Sequence, residues 1–244
     1  MAALEEARRW LAEAERVAAL TGAGISHESG IPVFRGPGGL WRQYRPEELA
    51  TPEAFARDPR LVWEWYDWRR SVVAAAEPNA GHHALVELER KTPDFTLITQ
   101  NVDGLHDRAG SCRLLKLHGD LWILRCTVCF AEIVDRTVPL AEIPPQCACG
   151  GLLRPGVVWF GEGLPPGVLQ EAIRAAERAQ VFLVVGTSAV VQPAASLPLL
   201  ARRAGARVIE VNAESTPLSP LVDASILGPA GALLPQLVEA TVRQ

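Results

Sequence analysis

Four short, largely apolar runs constrain this chain more than any other feature. They are Arg16–Leu20, Phe95–Thr99, Val181–Val185 and Arg207–Val211. Each runs straight into small or polar residues: Thr21-Gly-Ala-Gly24, Gln100-Asn-Val-Asp-Gly104, Gly186-Thr-Ser188 and Asn212. Between them the apolar spacing predicts helices over Leu4–Glu15, Leu61–Ala76, His82–Arg90, Pro166–Ala179 and Ala194–Ala204. Apolar runs alternating with helices read as strands buried on both faces, which is the pattern of a parallel sheet covered by helices. The expected fold is therefore α/β, a doubly wound, mostly parallel Rossmann-like sheet. In such sheets ligands sit beyond the carboxyl ends of the strands, and here those ends collect Gly, Asn, Asp, Ser and Thr.

The 244 residues suit one large domain, or one with a small appendage, and a hydrophobic fraction of 48% supplies a core. A net charge of −4 shows no basic excess, so neither nucleic acid nor an anionic membrane is an expected partner. The first sixteen residues alternate Glu and Arg and lack the apolar segment of a secretion signal. Residues 179–201 are free of charge and long enough to span a bilayer, but Gly186, Gln192, Pro193 and Pro198 favour a buried strand, a turn and a buried helix. A cytoplasmic location is expected.

Four of the five cysteines interrupt the α/β pattern. Cys126-Thr-Val-Cys129 lies 17 residues before Cys147-Ala-Cys149, a spacing that matches a four-thiolate structural zinc site. Two disulfides would need an oxidising compartment. All four positions are filled by protein, so no coordination site is left for a substrate. Cys112 stands apart as a free thiol.

Thr21-Gly-Ala-Gly-Ile-Ser26 follows the first strand and fits backbone approach to a phosphate, although an ordinary strand–helix turn fits it too. His27 stands where a dinucleotide fingerprint needs its third glycine, and Arg42-Gln-Tyr44 where it needs an acid. Nucleotide binding is compatible with this loop; a hydride-transferring dehydrogenase is not favoured.

Seven segments in order give the chain a specific resemblance. They are Thr21–Ser26, Ser29-Gly-Ile-Pro-Val-Phe-Arg35, Thr99-Gln-Asn-Val-Asp103, Lys116-Leu-His-Gly119, the cysteine module, Val157-Val-Trp-Phe-Gly-Glu162 and Gly186-Thr-Ser188. Together the chain resembles the sirtuins, NAD-dependent protein lysine deacylases, over about residues 20–230. The resemblance implies a single catalytic domain over 1–244. Its large NAD-binding part would take 1–40, 92–119 and 156–244; a helical segment, 41–91, and the zinc module, 120–155, would form the small part.

It further implies that NAD is a consumed co-substrate. Gly22, Ala23, Gly24, Ile25 and Ser26 would lie at its pyrophosphate, and Gly186, Thr187 and Ser188 at ribose and phosphate. Asn212 and Ala230 would lie near the adenosine. Phe34, Arg35 and Trp41 would cover the nicotinamide ribose; Gln100, Asn101, Val102 and Asp103 would line the nicotinamide pocket. His118 is the implied base, with Asn101 and Arg35 assisting, and the implied products are nicotinamide and O-acyl-ADP-ribose. Val157, Val158, Trp159, Phe160, Gly161 and Glu162 would be an edge segment pairing with the backbone of an acylated protein or peptide. A monomer is expected.

Residue types alone place Arg69-Arg70 on a solvated face and make Tyr66 a packing residue. In the light of the resemblance, Tyr66 and Arg69, one helical turn apart, match the sirtuin branch that removes succinyl and malonyl groups, with deacetylation as a second activity. Mono-ADP-ribosyl transfer from the same NAD site is the enzymatic alternative. A non-catalytic NAD-sensing interaction protein is the other; the intact His118 and Gln100–Asp103 segment argue against it.

Overall fold

A computed structural model describes residues 2–34 and 39–239. Six strands form one sheet: β1 (Arg16–Thr21), β2 (Asp94–Thr99), β3 (Leu114–Lys116), β7 (Val181–Val185), β8 (Arg207–Asn212) and β9 (Ala224–Leu227). Their order is β3-β2-β1-β7-β8-β9, and every pairing is parallel. The chain winds outward from β1 in one direction and from β7 in the other. The topological switch point thus falls between β1 and β7, where a doubly wound sheet opens its ligand crevice.

Both faces are covered, which is why the central strands read as unbroken apolar runs. Helices Ala2–Glu13, Ala80–Lys91 and Ala230–Glu239 pack Leu11, Leu85, Leu88, Leu234 and Leu237 on one face. Helices Pro166–Arg178 and Leu197–Arg203 pack Ala172, Ala176, Leu197 and Ala201 on the other. The charge-free stretch resolves as expected into β7, a short 3-10 turn and the 197–203 helix. No described helix is long and apolar enough to cross a membrane.

A second core lies beside the sheet. Three antiparallel strands, β4 (Gly119–Cys126), β5 (Glu132–Val134) and β6 (Leu153–Val157), pair in the order β5-β4-β6. The 17-residue helix Pro59–Ala75 packs on them through Trp63, Tyr66 and Val73, against Leu121, Leu124 and Leu153. Asp58 caps that helix by accepting from Leu61 N–H at 3.0 Å, with Pro59 at its first turn. Trp63 Nε1 donates to Leu153 O (2.7 Å), and Leu140 N–H donates to Asp67 (2.9 Å).

Here the residue-type reading of Arg69-Arg70 is corrected: neither is solvated. Arg70 is 0% exposed and donates to the carbonyls of Leu121, Asp135 and Thr137 and to the Asp135 carboxylate at 2.6 Å. Four acceptors at Nη1 and Nη2 offset a charge that burial would otherwise make prohibitive, while Nε is left without a partner among the described residues. Arg69 is 7% exposed and turns to a different place, described below.

Candidate active site

The ends of β1, β2, β7 and β8 are cross-linked by side chains. Thr21 Oγ1 donates to Thr99 Oγ1 (2.8 Å), which also accepts from Asn101 N–H. Asn101 Nδ2 donates to Gly22 O and Ser26 Oγ, and Ser26 donates to Asp103 at 2.8 Å. Gln100 Nε2 donates to Thr187 Oγ1, and Asn212 Nδ2 to Thr187 O. Burial pushes the Asp103 carboxyl up from its ordinary value, while Leu105 N–H, Ser26 O–H and the Arg69 charge pull it back.

The two glycine loops touch. Gly24 N–H donates to Gly186 O at 2.7 Å, and Gly22 N–H to Val185 O at 3.0 Å. A Cβ on Gly24 would lie 2.7 Å from Gly186 Cα, and one on Gly186, where φ is +58°, 2.4 Å from Ile25 N. The glycines are thus required first for loop-to-loop contact. In this arrangement the Gly22 and Gly24 N–H groups already have protein acceptors.

Above these loops lies a cavity of about 630 Å³ lined by Gly22, Ala23, Gly24, Asn101, Thr187, Ser188 and Asn212. A smaller cavity of about 210 Å³ is lined by Tyr66, Arg69, Val102, His118 and residues 157–162. The two share Phe34, Gln100 and Val191, so they meet at the end of β2. Ile25, Ser26 and Asp103 are buried behind the cavity walls. Ala230, buried at the start of the last helix, does not line either cavity. Arg35 lies outside the described residues, as does the side chain of Trp41. His27, Val33 and Ala213–Pro217 also line the larger cavity, and Trp65 and Gln192 the smaller; sequence reasoning missed them because they carry no motif of their own.

His118 follows β3 and shares a hydrogen bond between its Nδ1 and Gln100 O at 3.0 Å. A carbonyl only accepts, so Nδ1 carries the proton and Nε2 presents its lone pair. Burial pushes the imidazole below its ordinary value, with the Gln100 bond opposing. The result is a neutral ring of fixed tautomer at the junction of the cavities.

The segment after β6 departs from the expected edge strand. Only Val157 is in the strand. Val158 N–H already donates to His118 O (2.8 Å) and Phe160 N–H to Ala50 O (2.9 Å). These two amides are taken by the protein and cannot pair with a peptide in this arrangement.

Arg69 stands at the wall of the smaller cavity, its Cζ 4.7 Å from the Phe34 ring centroid, 5.1 Å from that of Trp65 and 5.8 Å from that of Tyr66. Among the described residues no hydrogen bond or close ion pair joins it to a carboxylate or carbonyl, and the Asp103 charge acts on it from farther away. Tyr66 accepts from Trp159 Nε1 at 3.0 Å, and among the described residues nothing accepts its own proton. Burial pushes the Tyr66 phenol up, so it is a neutral donor.

The four thiols of Cys126, Cys129, Cys147 and Cys149 lie within 4.8 Å of one another. Sγ separations are 3.5 Å for Cys126–Cys149 and 3.8 Å for Cys129–Cys147. Zinc–sulfur bonds of about 2.3 Å in a tetrahedron require sulfurs about 3.8 Å apart, so the residues fit the ion. The distances are far from a disulfide's about 2.05 Å. Cys112 is a separate, exposed thiol.

This geometry defines a Rossmann-like α/β protein with an elongated cleft at the switch point and an inserted tetrathiolate module. Residues 22–193 match the Sir2 family model, and the chain belongs to the Sir2 family. It is 60% identical over 208 residues to an NAD-dependent protein deacylase of Aquifex aeolicus, covering 85% of this chain and 87% of that protein. It is 55% identical to NAD-dependent protein deacylase 2 of Pyrobaculum aerophilum, covering 96% and 94%. Among solved structures, a complex of a Sir2 homologue with NAD superposes with a TM-score of 0.92 at 54% identity, covering 97% of this chain and 93% of that one. A Sir2 protein bound to a myristoylated histone peptide does so at 0.82 and 39%, covering 98% and 96%.

Proposed function

We propose that this protein is an NAD-dependent lysine deacylase that prefers acidic acyl groups, succinyl and malonyl, and also removes acetyl. The observation that carries the acyl preference is Arg69: a buried guanidinium with no carboxylate partner among the described residues, beside a Tyr66 hydroxyl whose proton has no acceptor there. Aromatic rings and the more distant Asp103 charge compensate this buried guanidinium only in part, and its fork of donors suits an anion in the cavity. A long alkyl chain, such as the one bound by the myristoyl-peptide relative, would leave that charge desolvated and unpaired.

The residues divide the work by position. The 1–40, 92–119 and 156–244 parts would hold NAD, and 41–91 with 120–155 would close the other side as the small part. Gly22–Gly24, Gly186–Ser188 and Asn212 would floor the larger cavity under NAD. Gln100, Asn101 and Asp103 would receive the nicotinamide amide. NAD, when bound, supplies a ribose carbon that becomes electrophilic as nicotinamide leaves. His118 Nε2, its tautomer held by Gln100 O, would take the proton from a ribose hydroxyl. Trp159 and Phe160 would wall the lysine stem, and Tyr66 with Arg69 would hold the distal carboxylate.

The test is Arg69→Met on matched succinyl- and acetyl-lysine peptides. The succinyl KM should rise about 10- to 100-fold, as expected for a lost charge-assisted contact, with the acetyl KM little changed. Equal losses on both peptides would return Arg69 to a structural role.

A further inference from the structure

At the wall of the acyl cavity stands an ion pair that the reaction as described does not use. Arg154 on β6 forms a two-pronged ion pair with Glu162: Nη1 to Oε1 at 2.6 Å and Nη2 to Oε2 at 2.9 Å. The same Nη2 donates to Val157 O at 3.0 Å. Its guanidinium lies over the Trp159 ring, with Cζ 3.5 Å from the ring centroid. Glu162 in turn accepts from Trp159 N–H at 2.8 Å, so both the backbone and the ring of Trp159 are gripped by one ion pair. The other end of the indole, Nε1–H, donates to Tyr66 Oη.

The consequence is directional. A phenol oxygen that accepts from one side must send its own proton elsewhere. With Trp159 Nε1–H on one side, the Tyr66 proton is left for the cavity that Arg69 also faces. If the indole tilted, Tyr66 could rotate its proton into other acceptors and the anion would lose one donor. Burial works against the Glu162 charge, but the bonds from Arg154 and Trp159 N–H hold its carboxyl below the ordinary range, so the grip persists at neutral pH.

We infer that Arg154 and Glu162 are positioning residues for acyl choice: they fix the Trp159 indole, and through it the direction in which Tyr66 offers its proton. Arg154 does not line the acyl cavity, and Glu162, which does, has its carboxylate tied to Arg154 and to Trp159 N–H. The inference rests on the acyl-carboxylate reading of Tyr66 and Arg69.

The experiment is a mutant cycle on the full-length protein, read as the ratio of succinyl to acetyl KM. Arg154→Lys keeps the charge but loses the fork and the planar group over the ring. Trp159→Phe keeps a ring and loses the donor. Each should raise the succinyl KM about 3- to 10-fold relative to the acetyl KM, the range for one neutral hydrogen bond. In a Tyr66→Phe background neither should change the ratio further, because the hydroxyl they act through is gone. A general packing role would instead lower kcat on both peptides and persist in that background, which would overturn the inference. Should Arg154→Lys fail to fold, Trp159→Phe alone carries the cycle. Arg69→Met separates the two levels. A succinyl-selective loss there, with additive effects of Arg154→Lys or Trp159→Phe and Tyr66→Phe, sinks the positioning role alone. Equal losses there sink the acyl reading and this inference with it.

Discussion

His118 and Gln100 are bound ring to backbone at 3.0 Å, and that single contact settles which imidazole nitrogen can act as a base. With Nδ1 protonated, Nε2 is the free lone pair. His118→Ala should therefore lower deacylation by about 10²- to 10⁴-fold while leaving the melting temperature and NAD affinity close to wild type. Burial pushes this imidazole down, so it stays neutral to lower pH than a free histidine. The acid limb of kcat/KM should fall below pH 6.5. A limb centred above pH 7 would rule out this assignment.

One zinc per chain should be found by elemental analysis of the purified protein. Replacing Cys147 by Ala should release it and lower the melting temperature, because a structural metal's binding energy is folding energy. An unchanged metal content in that variant would show that the ion sits elsewhere.

Gly186→Ala should be the most disruptive single methyl in the cleft. Its φ of +58° and a Cβ 2.4 Å from Ile25 N leave no room without moving a backbone. A loss of more than about 2 kcal/mol is expected, lowering the melting temperature by about 4–8 °C, together with weaker NAD binding by calorimetry. A wild-type melting temperature would mean that the loops are not locked together.

The His82 and His106 rings meet at a tilt, centroids 4.8 Å apart, in a buried site next to Thr21. Burial and the charge of His83 lower His82 to about 4, and burial with His82 and Lys116 lowers His106 as well. Both are neutral when folded, whereas the unfolded chain takes up protons near pH 6.5. Stability is full above that value and is lost as pH falls from 6.5 towards 4, by up to about 1.4 kcal/mol per unit for each group. Thermal melts across this window should show a shallower decline for His82→Gln, which retains an acceptor for Asn79 N–H. Parallel curves would contradict the argument.

The parallel strands were legible because burial on both faces leaves no polar residue to interrupt Val181–Val185. Their ends differ from the sequence reading by at most one residue. What escaped is what lacks that signal. β9 is a half-buried edge strand and β5 is exposed throughout. The last helix carries Pro235 within it. The short helix Pro52–Arg57 was readable in principle, since Thr51 caps it by accepting from Ala54 N–H. The cysteine spacing and the strand-end polar residues marked the site directly. The linkage of Arg154, Trp159 and Tyr66 could not be read, because it joins residues up to 93 positions apart through contacts that have no periodicity.

Arg69 and Arg70 are neighbours in sequence with opposite duties, one facing the smaller cavity and the other clamped to Leu121, Asp135 and Thr137. Successive helix residues point about 100° apart, so the angle between the two duties is set by helical phase. Loss or gain of a single residue between the Asp58 cap and Arg69 would rotate the clamp out of its socket and Arg69 out of the smaller cavity together. On the proposed reading, the length of this helix would be part of the acyl selectivity, and substitutions would be the changes through which that preference drifts without loss of the fold.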